Sequence, residues 1–179
     1  MNKKRVYRNL VLSGEISEES AEKIIQHIND INEDDFGKDT RTPIQLKINS
    51  IGGSMYDGFA IIGAIESSIT PVYTCGYGAI MSMALPILVS GHKRFAHPLT
   101  TFMYHECLDT FGHYEKVSIL KENLEETERV MDIYDDFILS KTSFTQKQLD
   151  KVKKSKIDWY FDINEDRKST RLNSSHGYI

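Results

Sequence analysis

The chain has 179 residues, near the size of one domain, so a single core and no second catalytic module are expected. Apolar residues make up 40% and charged residues 27%, a mixture that can bury a core and carries no signature of disorder. The formal net charge of −4, without a clustered basic surface, argues against nucleic acid as a main partner, and the apolar stretch near the amino terminus is too short for a signal peptide or a membrane span. A cytoplasmic location is expected.

In chain order, residues 6–12 read as a strand and Ser13-Gly14 as a turn, after which Ser17 is placed to cap a helix running through Ile31. Residues 32–43 are polar and break the pattern. Ile44, Leu46 and Ile48 then alternate as in a strand, with a loop over 49–54. Phe59, Ile62, Ile65 and Ile69 keep helical spacing across 55–69, and Pro71 introduces a strand over 72–75. Gly76-Tyr77-Gly78 is read as a turn into an apolar helix over 82–90, followed by short strands at 94–96 and 101–104. The βα alternation predicts the α/β class.

A charged helix is predicted over 114–141, with Val117, Leu120, Leu124, Met131, Tyr134 and Ile138 on one stripe. That stripe must pack either on its own domain or on another subunit, and the spacing does not choose between them. Cys75 and Cys107 are read as two reduced thiols with no assigned role.

Four segments could carry chemistry. In CGYGAIMSMALPILVSG a glycine-bearing turn delivers Ser82 to the start of an apolar helix, where it could be a nucleophile or simply a helix cap. The lipase-type GxSxG elbow is excluded, because Ile80 and Ala84 stand where glycines would be needed. In INSIGGS, Gly52-Gly53 could turn the backbone so that its N–H groups face an oxyanion, or form an ordinary turn.

In FMYHE, His105 follows the short strand over 101–104 and is the preferred general base, with a structural strand-edge histidine as the alternative. A zinc site of HExxH type fails because Asp109 occupies the second histidine position. His92 and His97 are expected at the surface. Asp158, in KIDWYF, could be a histidine-paired acid or a surface loop residue.

Taken together and in this order, INSIGGSMYDG, the glycine-turn segment around Ser82-Met83, KRFAHP, FMYHE and DWYF resemble the signature segments of the ATP-dependent Clp protease proteolytic subunit, over residues 5–161. The resemblance is to a compact variant, of a kind that also occurs in phage genomes. It implies a ClpP/crotonase-like spiral of ββα units with a protruding handle helix, here 114–141, in one peptidase domain spanning 1–165. By position it implies Ser82 as nucleophile, His105 as general base and Asp158 as the residue that orients the imidazole. The backbone N–H groups of Gly53 and Met83 would form the oxyanion hole.

It further implies stacked seven-membered rings of self-associated subunits, unfolded polypeptide substrates, and an AAA+ unfoldase that would use ATP; no cofactor or metal is expected in this subunit. Two positions depart from the family pattern, Ile51 in place of a usual proline and Ala84 in place of a common glycine. The chain starts almost at the first core strand, so the segment that forms axial pore loops is expected to be missing. The run DRKSTRLNSSH within 166–179 reads as non-native sequencing-adapter read-through. A catalytically silent ring subunit and a crotonase-type acyl-CoA enzyme remain the alternatives.

Overall fold

The computed structural model describes residues 8–107 and 116–162. The expected strand start at Val6, the first residues of the expected handle helix at Tyr114, and the expected read-through over 166–179 lie outside them.

Six strands form one sheet with β1 (Asn9–Ile16), β2 (Ile44–Gly53), β3 (Val72–Met81), β5 (Thr101–Tyr104) and β6 (Trp159–Asp162) side by side in that order, while β4 (Lys93–Ala96) also pairs with β3. The pairs run parallel except the last, in which β6 lies antiparallel to β5. Connecting helices α1 (Glu18–Asp34), α2 (Met55–Ser67), α3 (Ala84–Val89), α4 (Val117–Lys141) and α5 (Gln146–Ser155) complete the α/β architecture predicted from the alternation.

The cap at Ser17 forms as predicted, as a reciprocal capping box with Ser20. Three strands run further than their sequence suggests. β1 passes through Ser13-Gly14, β2 through Gly52-Gly53, and β3 through Gly76-Tyr77-Gly78 to Met81. The register shifts beside the glycines: Ser13 to Glu15 on β1 faces Asn49 to Gly52 on β2, and Ile48 to Ser50 on β2 faces Gly76 to Ile80 on β3. The extra residues of β2 and β3 are thus absorbed as irregularities of the ladder and not as turns. At the β2–β3 irregularity the Asn49 side chain accepts a 3.0 Å hydrogen bond from Ala79 N. Gly78 adopts φ +64° there, and a Cβ at that position would lie 2.7 Å from Asn49 Oδ1.

The predicted helix over 82–90 shrinks to Ala84–Val89, and all six of its residues are buried. It is wedged among β2, β3, β5, α2 and α4, so the segment just before it is anchored from several sides. Helix α5, to which the sequence reading assigned no element, is capped by a box between Thr145 and Gln148. Leu149 and Val152 turn it onto the core.

The stripe on α4 divides. Met131, Tyr134 and Ile138 join the core, whereas Val117 and Leu124 are 69% and 49% exposed. Near the middle, Tyr56 on α2 donates a hydrogen bond to Glu126. The carboxyl-terminal half therefore packs on its own domain, whereas most of the amino-terminal half is left exposed by the described residues. No described helix is long and apolar enough to cross a membrane.

Candidate active site

Ser82 is the first residue after β3 and is not a helix cap. The cap of α3 is Met83, with no side-chain hydrogen bond, and Ser82 Oγ instead lies 2.8 Å from His105 Nε2. Ser82 has φ +50°, a left-handed conformation that a non-glycine residue holds only when its surroundings impose it. Three backbone contacts impose it here. Ser82 N donates to Met103 O at 3.0 Å, and Ser82 O accepts from Leu85 N at 3.0 Å and from the Tyr134 hydroxyl at 3.1 Å. The hydroxyl is thereby aimed out of the sheet's edge at the imidazole.

Gly52 supplies the space. A Cβ at Gly52, whose φ is +103°, would lie 2.6 Å from Ser82 Cβ and 3.0 Å from its Oγ. Gly53 is equally constrained from the other side, since a side chain there would run into the Ile16 backbone. Ser54 N donates to Ile16 O at 2.9 Å, and the alternation of a parallel ladder then turns the Gly53 N–H away from β1. Gly52 N is already used by Ser50 Oγ at 3.1 Å. Met83, whose N–H follows the nucleophile position, is fixed because its side chain fills the space that a Cβ on Gly58 would occupy.

These groups line one cleft with a cavity volume of about 410 Å³, which also includes Met55, Met103, Met131, Tyr134 and Cys107. That is room for a short stretch of extended peptide and one apolar side chain. Sulfur-bearing side chains dominate its walls, and Cys107 Sγ lies 3.7 Å from Met55 Sδ. Neither Cys75 nor Cys107 forms a disulfide. Burial pushes the Tyr134 phenol well above its ordinary pKa, so the hydroxyl stays a donor to Ser82 O.

Asp158 is placed differently. It precedes β6, and the antiparallel register pairs Tyr104 with Trp159; one further step sets residue 158 opposite His105. Asp158 is nevertheless exposed and makes no hydrogen bond to His105. Neither is it part of the cleft wall. His97, expected at the surface, is half-buried and stacks on Tyr77 with ring centroids 6.1 Å apart.

The sequence reading passed over two contributors. Tyr134 was visible only as one apolar stripe member, and its hydroxyl contact crosses 52 residues of chain. Gly52 was noted as half of a Gly-Gly pair, but its close approach to Ser82 depends on β2 and β3 lying side by side.

A family model described as Clp protease matches residues 2–167. The ATP-dependent Clp protease proteolytic subunit 2 of Treponema pallidum is 30% identical over 162 residues, which is 88% of this chain and 76% of that protein. A Treponema denticola protein of the same description is 34% identical over 121 residues, 66% of this chain and 58% of its own length. Among solved structures, a ClpP1 mutant from Listeria monocytogenes superposes with a TM-score of 0.77 at 23% identity, covering 93% of this chain and 89% of that one. The fold is accordingly the ClpP/crotonase-like one.

Proposed function

The chain belongs to the Clp protease family, and on that premise we propose that it is a serine-type endopeptidase subunit. The observation that carries this reading is the 2.8 Å contact between Ser82 Oγ and His105 Nε2, next to Gly52, whose missing side chain leaves the nucleophile unobstructed. Ser82 Oγ attacks the scissile carbonyl while His105 Nε2 takes its proton, and the tetrahedral oxyanion is held by the N–H groups of Gly53 and Met83. Collapse breaks the C–N bond, the imidazolium returns the proton to the leaving amine, and water then hydrolyses the acyl-enzyme by the reverse sequence.

Asp158 would orient the imidazole through Nδ1 once its side chain turns toward His105, a step that the strand register permits. Met55, Met83, Met103 and Met131 make an adaptable apolar wall suited to varied apolar side chains beside the scissile bond. The chemistry needs no metal or cofactor in this subunit. In line with its family, the chain is expected to assemble with itself into rings, stacked as paired heptamers, to degrade unfolded polypeptide, and to receive it from an AAA+ unfoldase that consumes ATP.

Exposure of Asp158 favours one second reading, a ring subunit that scaffolds active partners without hydrolysing peptides itself. A crotonase-type acyl-CoA enzyme would have no use for the Ser82–His105 contact. Intact-mass analysis after fluorophosphonate treatment separates these. The proposal expects one adduct on the wild type and none on Ser82→Ala, whereas an assembled wild type that takes up no adduct establishes the scaffold reading.

A further inference from the structure

Helix α4 carries a buried carboxylate for which the catalytic steps above have no use. Asp135 is 3% exposed, and its Oδ1 accepts a 2.7 Å hydrogen bond from the hydroxyl of Tyr104. Tyr104 is fully buried and is the last residue of β5, immediately before His105. On the other side, the Lys153 ammonium of α5 lies 2.5 Å from Asp135 Oδ2. Among the described residues no neutral donor is aligned on that oxygen, so its compensation comes from the lysine charge. The residue before Asp135 is Tyr134, whose hydroxyl holds the Ser82 carbonyl at 3.1 Å. The two tyrosine rings lean on each other with centroids 5.9 Å apart.

One turn of α4 thus reaches every segment that bears a residue of the proposed triad. Tyr134 touches Ser82 directly, Asp135 touches the residue beside His105, and Lys153 belongs to the helix whose end leads through residues 156–158 into β6. The pair is half-buried, with the Lys153 side chain 27% exposed, and an ion pair drawn that far out of water is weak evidence for stability, because desolvation offsets much of the attraction. What it supplies is direction. A carboxylate held between a phenol and an ammonium has one orientation, and Tyr104 can satisfy its hydroxyl only with β5 at one height against α4. Burial first, and then the neighbouring carboxylate, raise the Tyr104 pKa far above its ordinary value, so that hydroxyl remains a donor.

We propose that Asp135, with Tyr104 and Lys153, is a positioning network that sets the His105 ring against Ser82 Oγ. The inference rests on the peptidase reading and extends it to residues that touch neither substrate nor the reacting atoms.

The decisive experiment compares full-length wild type with the triple variant Tyr104→Phe, Asp135→Leu, Lys153→Met, which replaces the network by apolar groups of similar size. Thermal melting, the kinetics of hydrolysis of a short fluorogenic peptide, and the rate of fluorophosphonate labelling of Ser82 are measured on both. Positioning predicts a melting temperature close to wild type, kcat and labelling rate lowered about 10- to 100-fold, and KM within about twofold. A triple variant with wild-type stability and wild-type kcat overturns the inference, since the network would then serve packing alone.

Where the triple variant fails to fold, Tyr104→Phe decides, assayed well below its own melting temperature. A fall in kcat at unchanged KM supports positioning, and unchanged kcat overturns it. A wild type that neither labels nor hydrolyses removes the peptidase reading itself, and the positioning role with it. A labelled, active wild type with unaffected variants removes only the positioning role.

Discussion

The two ends of the proposed triad are held in opposite ways. Ser82 sits in a conformation unfavourable for its residue type, yet its N and O are tied to Met103, Leu85 and Tyr134, and Gly52 lies against its side chain. Asp158 stands one residue outside a strand, just as Ser82 does, but it faces water and touches nothing at the site. Strand register is enough to set residues 105 and 158 opposite each other. It is not enough to turn a side chain, which needs partners on more than one side. The nucleophile end is over-determined by the chain's own packing, and the acid end is not.

The sharpest way to test that contrast is at its weak end. Asp158→Asn is expected to leave the fold intact and to lower kcat by about 10²- to 10⁴-fold, because a histidine base without its orienting acid rests in the wrong tautomer. Activity equal to wild type in a peptide assay would show that His105 takes its orientation from elsewhere. At the strong end, Gly52→Ala must push a methyl group against Ser82 Cβ at 2.6 Å and strain a backbone at φ +103°. Fluorophosphonate labelling is expected to slow by about 100-fold, since a displacement of about 1 Å is enough for that. Labelling at the wild-type rate would mean that β2 can yield without moving the nucleophile.

The smallest expected effect concerns a carboxylate unlike Asp158. Asp35 is 1% exposed and takes hydrogen bonds from both arms of the Arg8 guanidinium, at 2.7 and 2.8 Å, and from Thr70 and Lys38. The Arg8 guanidinium holds its pKa far below the ordinary carboxylate range. A pKa lowered on folding contributes stability in full above the unfolded value of about 3.9, and that contribution is lost as pH falls toward the folded value. Thermal stability is therefore expected to be level near neutral pH with respect to this group and to decline below about pH 4, with a shallower acid slope in Arg8→Met. Identical slopes in the two proteins would remove Asp35 as the cause.

Local rules carried the reading where the structure is local. The Ser17 cap, the alternation of Ile44, Leu46 and Ile48, and the helical spacing of Ile62 and Ile65 all depend on neighbours within a few residues, and they formed as predicted. The glycines in β1, β2 and β3 were read as turns because glycine usually interrupts a strand. Parallel neighbours absorbed them as irregularities of the ladder instead, which no single strand can reveal. Helix α5 is mostly polar, with only Leu149 and Val152 buried, too few apolar positions for a periodic signal. On α4 the stripe was legible, but not the point near Val130 at which the domain beneath it begins.

By itself the sequence determined the chemistry on offer and its order: a serine after a strand and its turn-prone glycines, a histidine at a strand end, an aspartate before an aromatic strand, and two glycines able to expose backbone N–H groups. Residue type and short-range pattern are written along the chain. Only the tertiary structure decided that Ser82 Oγ comes within 2.8 Å of His105 Nε2, that Gly52 makes the space for it, that Tyr134 reaches Ser82 O from α4 while Asp135 beside it holds the Tyr104 hydroxyl, and that Asp158 stands apart. Those outcomes join segments tens of residues apart, and their distances follow from how β2, β3, β5 and α4 pack around the buried α3, which no window of sequence contains.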